Sequence, residues 1–252
     1  MCLILIAHHF TEQTPLLVLA NRDEFYDRPA AEAAPWDECN ELIAGRDLAS
    51  GGSWFGARGL RWAGVTNFRQ GIQHSHSHRS RGWLVRDYLL SMDPPQEFLA
   101  RIADQTAEYA GFNLLLGHGE ELWYFSNRGP AAQQLEPGIY ALSNHLIDTP
   151  WPKVKHGKDA LLALMTPAQV DLDRAFAILA DTTLAADANL PETGIPLEWE
   201  RTLSAAFIRG RNYGTRCSTL LMRAIDGSQL LVERRFAGSP ENWEESRFSW
   251  TA

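Results

Sequence analysis

Two short apolar runs near the amino terminus constrain the fold most strongly. The first covers residues 2–8 and the second Leu16–Ala20, with a turn at Thr14-Pro15 between them. Both runs are too short to cross a membrane, and the first lacks the preceding basic residues of a signal peptide. Apolar runs of this length are typical of buried β-strands. The sequence therefore predicts a β-hairpin at the start of a protein with no membrane span.

The rest of the chain alternates between strand and helix patterns. Asp226-Gly227 between two apolar runs is a strong hairpin signal. The predicted strands are 53–56, 62–66, 112–116, 121–125, 138–142, 216–225 and 229–236. The predicted helices are 82–91, Pro94 to about 107 after an Asp93 cap, and Thr166-Pro167 to about 180. This order favours an α+β fold of stacked antiparallel sheets with helices outside, and no glycine-rich phosphate loop follows a strand.

Composition limits the classes of partner and compartment. The 252 residues suit one domain, 1–252, and the net charge of -8 argues against a general nucleic-acid binder. The three cysteines are an odd number and include no CxxC pair, so we expect neither a disulfide framework nor a zinc site. This cysteine usage fits the reducing cytoplasm. Composition does not indicate the oligomeric state.

Cys2 is the residue whose side chain and position most clearly indicate a catalytic role. Its small side chain permits removal of Met1, which would place a thiol and a free α-amine on one residue. An α-amine has a pKa of roughly 7.7–8.0 and can accept the thiol proton near neutral pH. Such a residue combines a nucleophile with its own base. The alternative is a small core residue at the start of a buried strand.

Four polar residues, Asn21 to Glu24, follow the second apolar run directly. If the two runs pair as a hairpin, this cluster returns to the start of the first strand, beside Cys2. Asp23 could then hold the new amino terminus, and Arg22 could bind a carboxylate or stabilise negative charge. The alternative is a solvated turn at a strand end.

Other polar residues occur where later strands end. Asn67 and Asn144 each close a predicted strand, and Arg216 begins one. The amide of Asn67 could donate to an oxyanion, although turns or caps commonly explain such residues. Several strand ends could together surround one pocket, with Trp54 in its wall.

Three histidines alternate at positions 74, 76 and 78. On an extended segment their imidazoles would share one side, which is one arrangement for a metal site. No carboxylate or cysteine nearby completes such a set, so a polar loop is the favoured interpretation. We expect no metal site.

Many short motifs in order match one known family. The most informative are Met1-Cys2, Asn21-Arg22-Asp23-Glu24, Gly51-Gly52-Ser53-Trp54-Phe55-Gly56, Leu142-Ser143-Asn144 and Tyr213-Gly214-Thr215-Arg216. The chain resembles the NRDE family of transport and Golgi organisation protein 2-like proteins over nearly its whole length. That family is similar to the N-terminal nucleophile (Ntn) hydrolases, which implies a four-layer αββα sandwich.

The resemblance also implies roles for individual residues. In the bile-salt hydrolase and penicillin V acylase group, an N-terminal cysteine cleaves linear amides with an Asn-x-Asp motif, which Asn21 and Asp23 match. Asn67 would correspond to the oxyanion-hole asparagine, and Asn144 and Arg216 to a further asparagine and a distal arginine. Those relatives carry an arginine just before Asn-x-Asp, where this chain has Leu19-Ala20. Either Arg22 substitutes for it, or the site has drifted from hydrolysis.

Two functions from different classes follow. The first is a cysteine Ntn amidohydrolase acting on a small linear amide, with Cys2, Asp23, Asn67, Asn144 and Arg216 as its catalytic residues and Asn21, Arg22 and Trp54 contacting substrate. This reading needs no cofactor. The second is a binding or trafficking protein for an apolar ligand such as haem or a lipid, since members of the family are associated with lipid and haem handling. A protein-interaction module is a third possibility that would require an exposed apolar patch.

Overall fold

The computed structural model describes residues 2–71, 79–165 and 170–251. In chain order its strands are β1 Cys2–His8, β2 Leu16–Phe25, β3 Ala30–Trp36, β4 Cys39–Asp47, β5 Phe55–Arg58, β6 Arg61–Asn67, β7 Phe112–His118, β8 Glu121–Ser126, β9 Gln133–Gln134, β10 Gly138–Leu142, β11 Tyr213–Arg223, β12 Ser228–Phe236 and β13 Trp243–Thr251. Its α-helices are α1 Gly82–Leu90, α2 Pro95–Ala103, α3 Pro152–Met165, α4 Leu172–Leu179 and α5 Leu197–Thr202. The protein is therefore mixed α+β, as the sequence predicts.

The strands form two antiparallel sheets. The first has the order β10-β1-β2-β11-β12-β13, and the second has the order β3-β4-β5-β6-β7-β8-β9. The predicted hairpin is confirmed, because β1 pairs with β2 and Cys2 lies opposite Arg22. The hairpin around Asp226-Gly227 is also confirmed as β11 and β12.

Alternating side chains of β1 and β2 pack against different neighbours. Ile4 and Ile6 belong to a core shared with residues of the second sheet, including Phe55 and Trp62. Leu3, Leu5, Leu17 and Leu19 instead pack against apolar residues of α3 and α4. Since successive strand residues point to opposite faces, this hairpin is buried on both sides. It is consequently a rigid base for the polar residues at its open end.

Helices α1 and α2 cover the second sheet. Leu84, Tyr88 and Leu89 of α1 and Phe98 of α2 lie in one core with Leu114 of β7 and neighbouring strand residues. Full burial of side chains of this size contributes about 1.5–3 kcal/mol each. Apolar cores thus lie on the outer side of each sheet as well as between the sheets.

The structure corrects several predicted boundaries. Helix α2 begins at Pro95 rather than Pro94 and ends at Ala103, and the Asp93 carboxylate pairs with Arg101 instead of capping the helix. The Thr166-Pro167 cap lies outside the described residues, and the helix that follows is capped by the Asp171 side chain. The sequence did not predict β3, β4, β9, β13, α3 or α5.

Candidate active site

A cleft of about 780 Å³ opens where β1 begins and β2 and β6 end. Five of the residues predicted to form a site line it: Cys2, Arg22, Asp23, Trp54 and Asn67. The cleft also contains residues to which no role was assigned, including Glu24, Arg28, Asp47, Ser53, Arg79 and Arg81. The antiparallel pairing of β1 with β2 brings the start of one strand to the end of the other.

Cys2 is a free, half-buried cysteine in the cleft wall. Because directly paired residues share one face of a sheet, its side chain lies on the same face as that of Arg22. Burial and the Asp23 carboxylate raise the pKa of the thiol, whereas the backbone N–H of Asp23 and the Arg22 guanidinium lower it. The Cys2 carbonyl accepts a hydrogen bond from Ser143 Oγ at 3.2 Å. The net rise in pKa means that this thiol needs a base to become a nucleophile at neutral pH.

Asp23 is 1% exposed and held at its Oδ1 atom by Thr215 Oγ1 at 2.6 Å. Its backbone carbonyl accepts a hydrogen bond from the Tyr213 hydroxyl at 2.7 Å. Burial raises the pKa of the Asp23 carboxyl, whereas Lys153 and the Thr215 hydrogen bond lower it. The hydrogen bond from the Asp23 backbone N–H to the Cys2 sulfur places these two residues side by side.

Lys153 is a buried cation near this pair that sequence reasoning missed. It lies in the first turn of α3, is 4% exposed, and its Nζ makes no hydrogen bond within the described parts of the chain. Burial lowers its pKa to about 8, although Asp23 and Cys2 act in the opposite direction. Only Trp151-Pro152 before it marks the start of a helix, and nothing in that pattern distinguishes a buried lysine from an exposed one.

Arg22 lies between an aromatic ring and a carboxylate. Its guanidinium carbon is 4.1 Å from the centre of a Trp54 ring, and its Nη2 is 3.4 Å from Asp47 Oδ2. Arg28 contacts the same carboxylate with distances of 2.6 and 3.2 Å. Although burial alone raises the pKa of Asp47, the hydrogen bonds and charges of Arg28, Ser50 and Arg22 lower it overall. The Asp47 carboxylate thus fixes two of the cations in the cleft.

Asn67 and Asn144 have different positions. Asn67 is half-exposed and lines the cleft at the end of β6. Asn144 is fully buried, and its Nδ2 donates to the Asn67 carbonyl at 3.0 Å. Asn144 Oδ1 lies 3.2 Å from Ser143 Oγ, whose single proton is shared between this oxygen and the Cys2 carbonyl. Asn144 therefore contacts the strand end that carries Asn67 and does not line the cleft wall.

Asn21 and Arg216 also lie elsewhere than expected. The Asn21 Nδ2 donates to the carbonyls of Leu179 and Ala206, and its Oδ1 accepts from Ser218 Oγ. These contacts lie on the sheet face opposite Arg22, so the Asn21 side chain has a structural role and is not free to contact a ligand. Arg216 donates from Nη1 to the carbonyls of Phe25 and Arg28 and lines a separate cavity of about 390 Å³.

The cause of the Arg216 displacement is a bulge in β11. The pairing register with β2 shifts between Thr215 and Cys217, so Arg216 is the inserted residue. A bulge re-aims the side chain of the extra residue. Arg22, which pairs directly with Cys2 across the two strands, is consequently the arginine beside the Cys2 thiol.

The described residues contain no cluster of three or more His, Cys, Asp or Glu side chains arranged to hold a metal ion. The alternating histidines at 74, 76 and 78 lie outside the residues that the structure describes. Within residues 2–71, 79–165 and 170–251, none of the helices combines the length and the hydrophobicity needed to cross a membrane.

Comparisons with known proteins cover nearly the whole chain. The profile of the family described as Transport and Golgi organisation 2 matches residues 1–238. A Transport and Golgi organization protein 2 homolog of Bos taurus is 35% identical over 249 residues, covering 91% of this chain and 90% of the relative. The homolog of Homo sapiens is 32% identical, covering 94% and 92% respectively. The Transport and Golgi organization protein 2 of Drosophila melanogaster is 27% identical over 60% of this chain and 59% of its own length.

Proposed function

The chain belongs to the Transport and Golgi organisation 2 family, and we propose that it is a cysteine amidohydrolase of the N-terminal-nucleophile type that cleaves a small linear amide. The observation that carries this proposal is the position of Cys2: a half-buried thiol in the wall of a polar cleft, with the Asp23 backbone N–H at its sulfur and Arg22 directly across the strand pair. A cysteine with a core role would pack among apolar side chains instead.

The four-layer αββα sandwich of Ntn hydrolases is part of the same proposal. Support comes from three apolar cores, one between the sheets and one between each sheet and its helices. In such an arrangement the nucleophile begins a strand of one sheet and faces the other, as Cys2 does relative to Asn67 and Trp54.

The first half of the reaction forms an acyl-enzyme. Removal of Met1 frees the α-amine of Cys2, which takes the thiol proton, and the sulfur then attacks the amide carbon. The Asn67 amide donates to the oxygen that becomes negative, and Arg22 stabilises the thiolate. The α-ammonium returns its proton to the leaving amine as the C–N bond breaks, leaving a thioester on Cys2.

The second half releases the acid. The α-amine removes a proton from water, the resulting hydroxide attacks the thioester carbon, and the C–S bond breaks with the proton returning to the sulfur. Asp23 holds the amine in both halves and stabilises its charged form. Asn144 acts indirectly by holding the strand end that carries Asn67, and Arg22 takes the role first expected of Arg216.

The cleft walls do not favour the apolar-ligand alternative. Beside a few apolar side chains such as Trp54 and Trp83, seven charged residues line it: Arg22, Asp23, Glu24, Arg28, Asp47, Arg79 and Arg81. Burying such charges against haem or an acyl chain would be costly, because their hydration would be lost without new partners. A saturable spectral shift on titration with haem that disappears in Cys2→Ala would favour that alternative instead.

The test of hydrolysis combines protein chemistry with one matched pair of variants. Intact-mass analysis of purified protein should show a chain without Met1. Cys2→Ser and Cys2→Ala should reduce turnover of a panel of linear amides by at least about a thousandfold and abolish labelling by thiol-reactive amide probes. Cys39→Ala removes another half-buried free thiol, at the start of β4, and should leave both readouts unchanged. Active protein that retains Met1 would falsify the mechanism.

A further inference from the structure

The cations of the cleft differ in how fully their charge is compensated. Arg22 and Arg28 share the Asp47 carboxylate, which also accepts hydrogen bonds from Ser50. Arg79 pairs with Glu108 at 2.9 Å. These three guanidinium groups therefore already have carboxylate partners, and their interaction with a ligand would compete with existing contacts.

Arg81 is the exception. It is half-buried in the cleft wall and forms no ion pair within the described residues. Its Nη1 donates to the Gly111 carbonyl at 3.3 Å, which uses one of the five N–H donors of a guanidinium. Burial lowers the pKa of Arg81, whereas the charges of Glu24 and Cys2 raise it. A partly desolvated cation with most of its donors unused is stabilised by an anion.

The carboxylates near Arg81 already have other hydrogen-bond or ion-pair partners. Glu24 accepts from its neighbour's backbone N–H at 2.9 Å and lies 4.0 Å from Arg28. Asp23 is held by Thr215, and Lys153 lies on its side of the sheet. Since Arg81 interacts electrostatically with Cys2, an anion bound to it would lie within the same cleft as the nucleophile.

We infer that the amide cleaved at Cys2 carries a carboxylate group, and that this carboxylate binds the guanidinium of Arg81. This inference rests on the proposed function and specifies its substrate class. A guanidinium can bind both oxygens of a carboxylate at once, which fixes the orientation of the ligand as well as its affinity. Arg81 is thus a specificity-determining residue for the scissile amide.

The experiment compares probes that differ only in charge. N-(4-nitrophenyl)succinamic acid carries its carboxylate on the acyl side, and the corresponding terminal amide is its neutral match. N-butyrylglycine and N-butyrylglycinamide form the equivalent pair for the amine side. Wild-type protein should prefer one anionic probe over its neutral match by about tenfold to hundredfold in kcat/KM, the range expected for a charge-assisted hydrogen-bonded pair.

Substitution of Arg81 should remove that preference selectively. Arg81→Met should raise KM for the preferred anionic probe about tenfold or more and leave the neutral probe within about twofold. Arg81→Lys should recover part of the preference, because it restores the charge without the paired donors. Arg101→Met, in which an exposed arginine of α2 paired with Asp93 is lost, is the matched control and should behave as wild type.

A binding measurement distinguishes the carboxylate site at Arg81 from the proposed hydrolase activity. Cys2→Ala cannot turn over substrate, so calorimetric titration with N-(4-nitrophenyl)succinamic acid and with N-butyrylglycine reports on Arg81 without catalysis. Binding of one acid that Arg81→Met abolishes, in a protein that hydrolyses no amide, would support the anion site and contradict the hydrolase. Hydrolysis with equal preference for charged and neutral probes in wild type and Arg81→Met would overturn the carboxylate inference alone.

Discussion

Asn144 donates a hydrogen bond from its side-chain Nδ2 to the main-chain carbonyl of Asn67 at 3.0 Å. The two asparagines expected to act on one oxyanion are therefore joined to each other. Asn144 is fully buried, whereas Asn67 is half-exposed and lines the cleft. The contact ties the end of β10 to the end of β6 and so fixes where the Asn67 amide can point.

This relationship predicts separable effects of the two substitutions. Asn144→Ala should lower the free energy of unfolding by about 1–3 kcal/mol, because the partly buried Asn67 carbonyl loses its donor and the fully buried Asn144 site is left empty. Asn67→Ala should unfold close to wild type but reduce kcat for the proposed hydrolysis by about 10²–10³-fold. Urea unfolding and steady-state kinetics on both variants check this. An Asn144→Ala protein of wild-type stability and greatly reduced kcat would place Asn144 at the oxyanion after all.

Gly45 determines the position of the Trp54 ring. A Cβ added at Gly45 would overlap Trp54 Cζ2, so no other side chain fits there without movement of the indole. Gly45→Ala should displace the indole from the Arg22 guanidinium and lower the free energy of unfolding by about 1–3 kcal/mol. Gly138→Ala in β10, where the added atom meets Tyr140 at an ordinary 3.5 Å, is the control. Equal stability of the two variants would contradict the packing argument.

The strands that could be predicted from the sequence are those with uninterrupted apolar runs. Strand β1 and the first half of β2, residues 16–20, are buried on both faces, so nearly every residue there is apolar and the pattern is clear. Strand β3 contains Glu32 and Pro35 and is largely half-buried or exposed, so its pattern resembles a loop. Strand β13 has no fully buried residue and is held by its pairing with β12 and by half-buried Phe248 and Trp250, which pack against the core between the sheets.

The residues of the candidate site also differ in whether their positions could be predicted from the sequence. Cys2, Arg22 and Asp23 could be brought together from sequence because a two-stranded hairpin fixes their register locally. The position of Arg216 depends on a bulge, and that of Asn144 on a contact between two sheets. Lys153 lies on α3, and the sequence around it does not indicate how this helix packs on the sheet. Such placements depend on tertiary structure and need coordinates.

His8 should make the protein less stable in acid. The residue is 4% exposed, and burial together with the nearby His9 and Arg223 charges lowers its pKa from 6.5 to about 4. The unfolded chain therefore binds more protons between pH 6.5 and about 4, and stability falls as pH decreases through this window. The contribution is about 2 kcal/mol, less than the pKa difference alone implies because water and salt screen neighbouring charges.

The measurement is chemical unfolding of wild type and His8→Gln between pH 7 and 4. The difference in unfolding free energy between the two should decrease steadily toward pH 4, because the variant has no proton to bind at this position. The exposed His156→Gln is the control and should follow the wild-type curve. A constant difference between wild type and His8→Gln would contradict the assignment.

Lys153 should produce a pH dependence of the same sign, but in the alkaline range. Its pKa is lowered from 10.5 to about 8, so the folded protein loses the Lys153 proton at lower pH than the unfolded chain does. Between these values the unfolded chain binds more protons, and stability rises with pH. The destabilisation is fully present below pH 8 and corresponds to about 3 kcal/mol. Unfolding of Lys153→Met from pH 7 to 10.5 should show a flatter rise than wild type, with the exposed Lys155→Met as control.

The same lysine should affect the proposed reaction through Asp23. Lys153 is the strongest influence opposing the rise that burial causes in the pKa of the Asp23 carboxyl, so its removal favours the protonated acid. A neutral Asp23 cannot hold the α-ammonium of Cys2 as firmly. The pH–rate profile of Lys153→Met should therefore shift to higher pH, with kcat recovering as Asp23 ionises, whereas Lys153→Arg, which keeps the positive charge, should keep the wild-type profile. A uniform loss of kcat at every pH would assign Lys153 a structural role only.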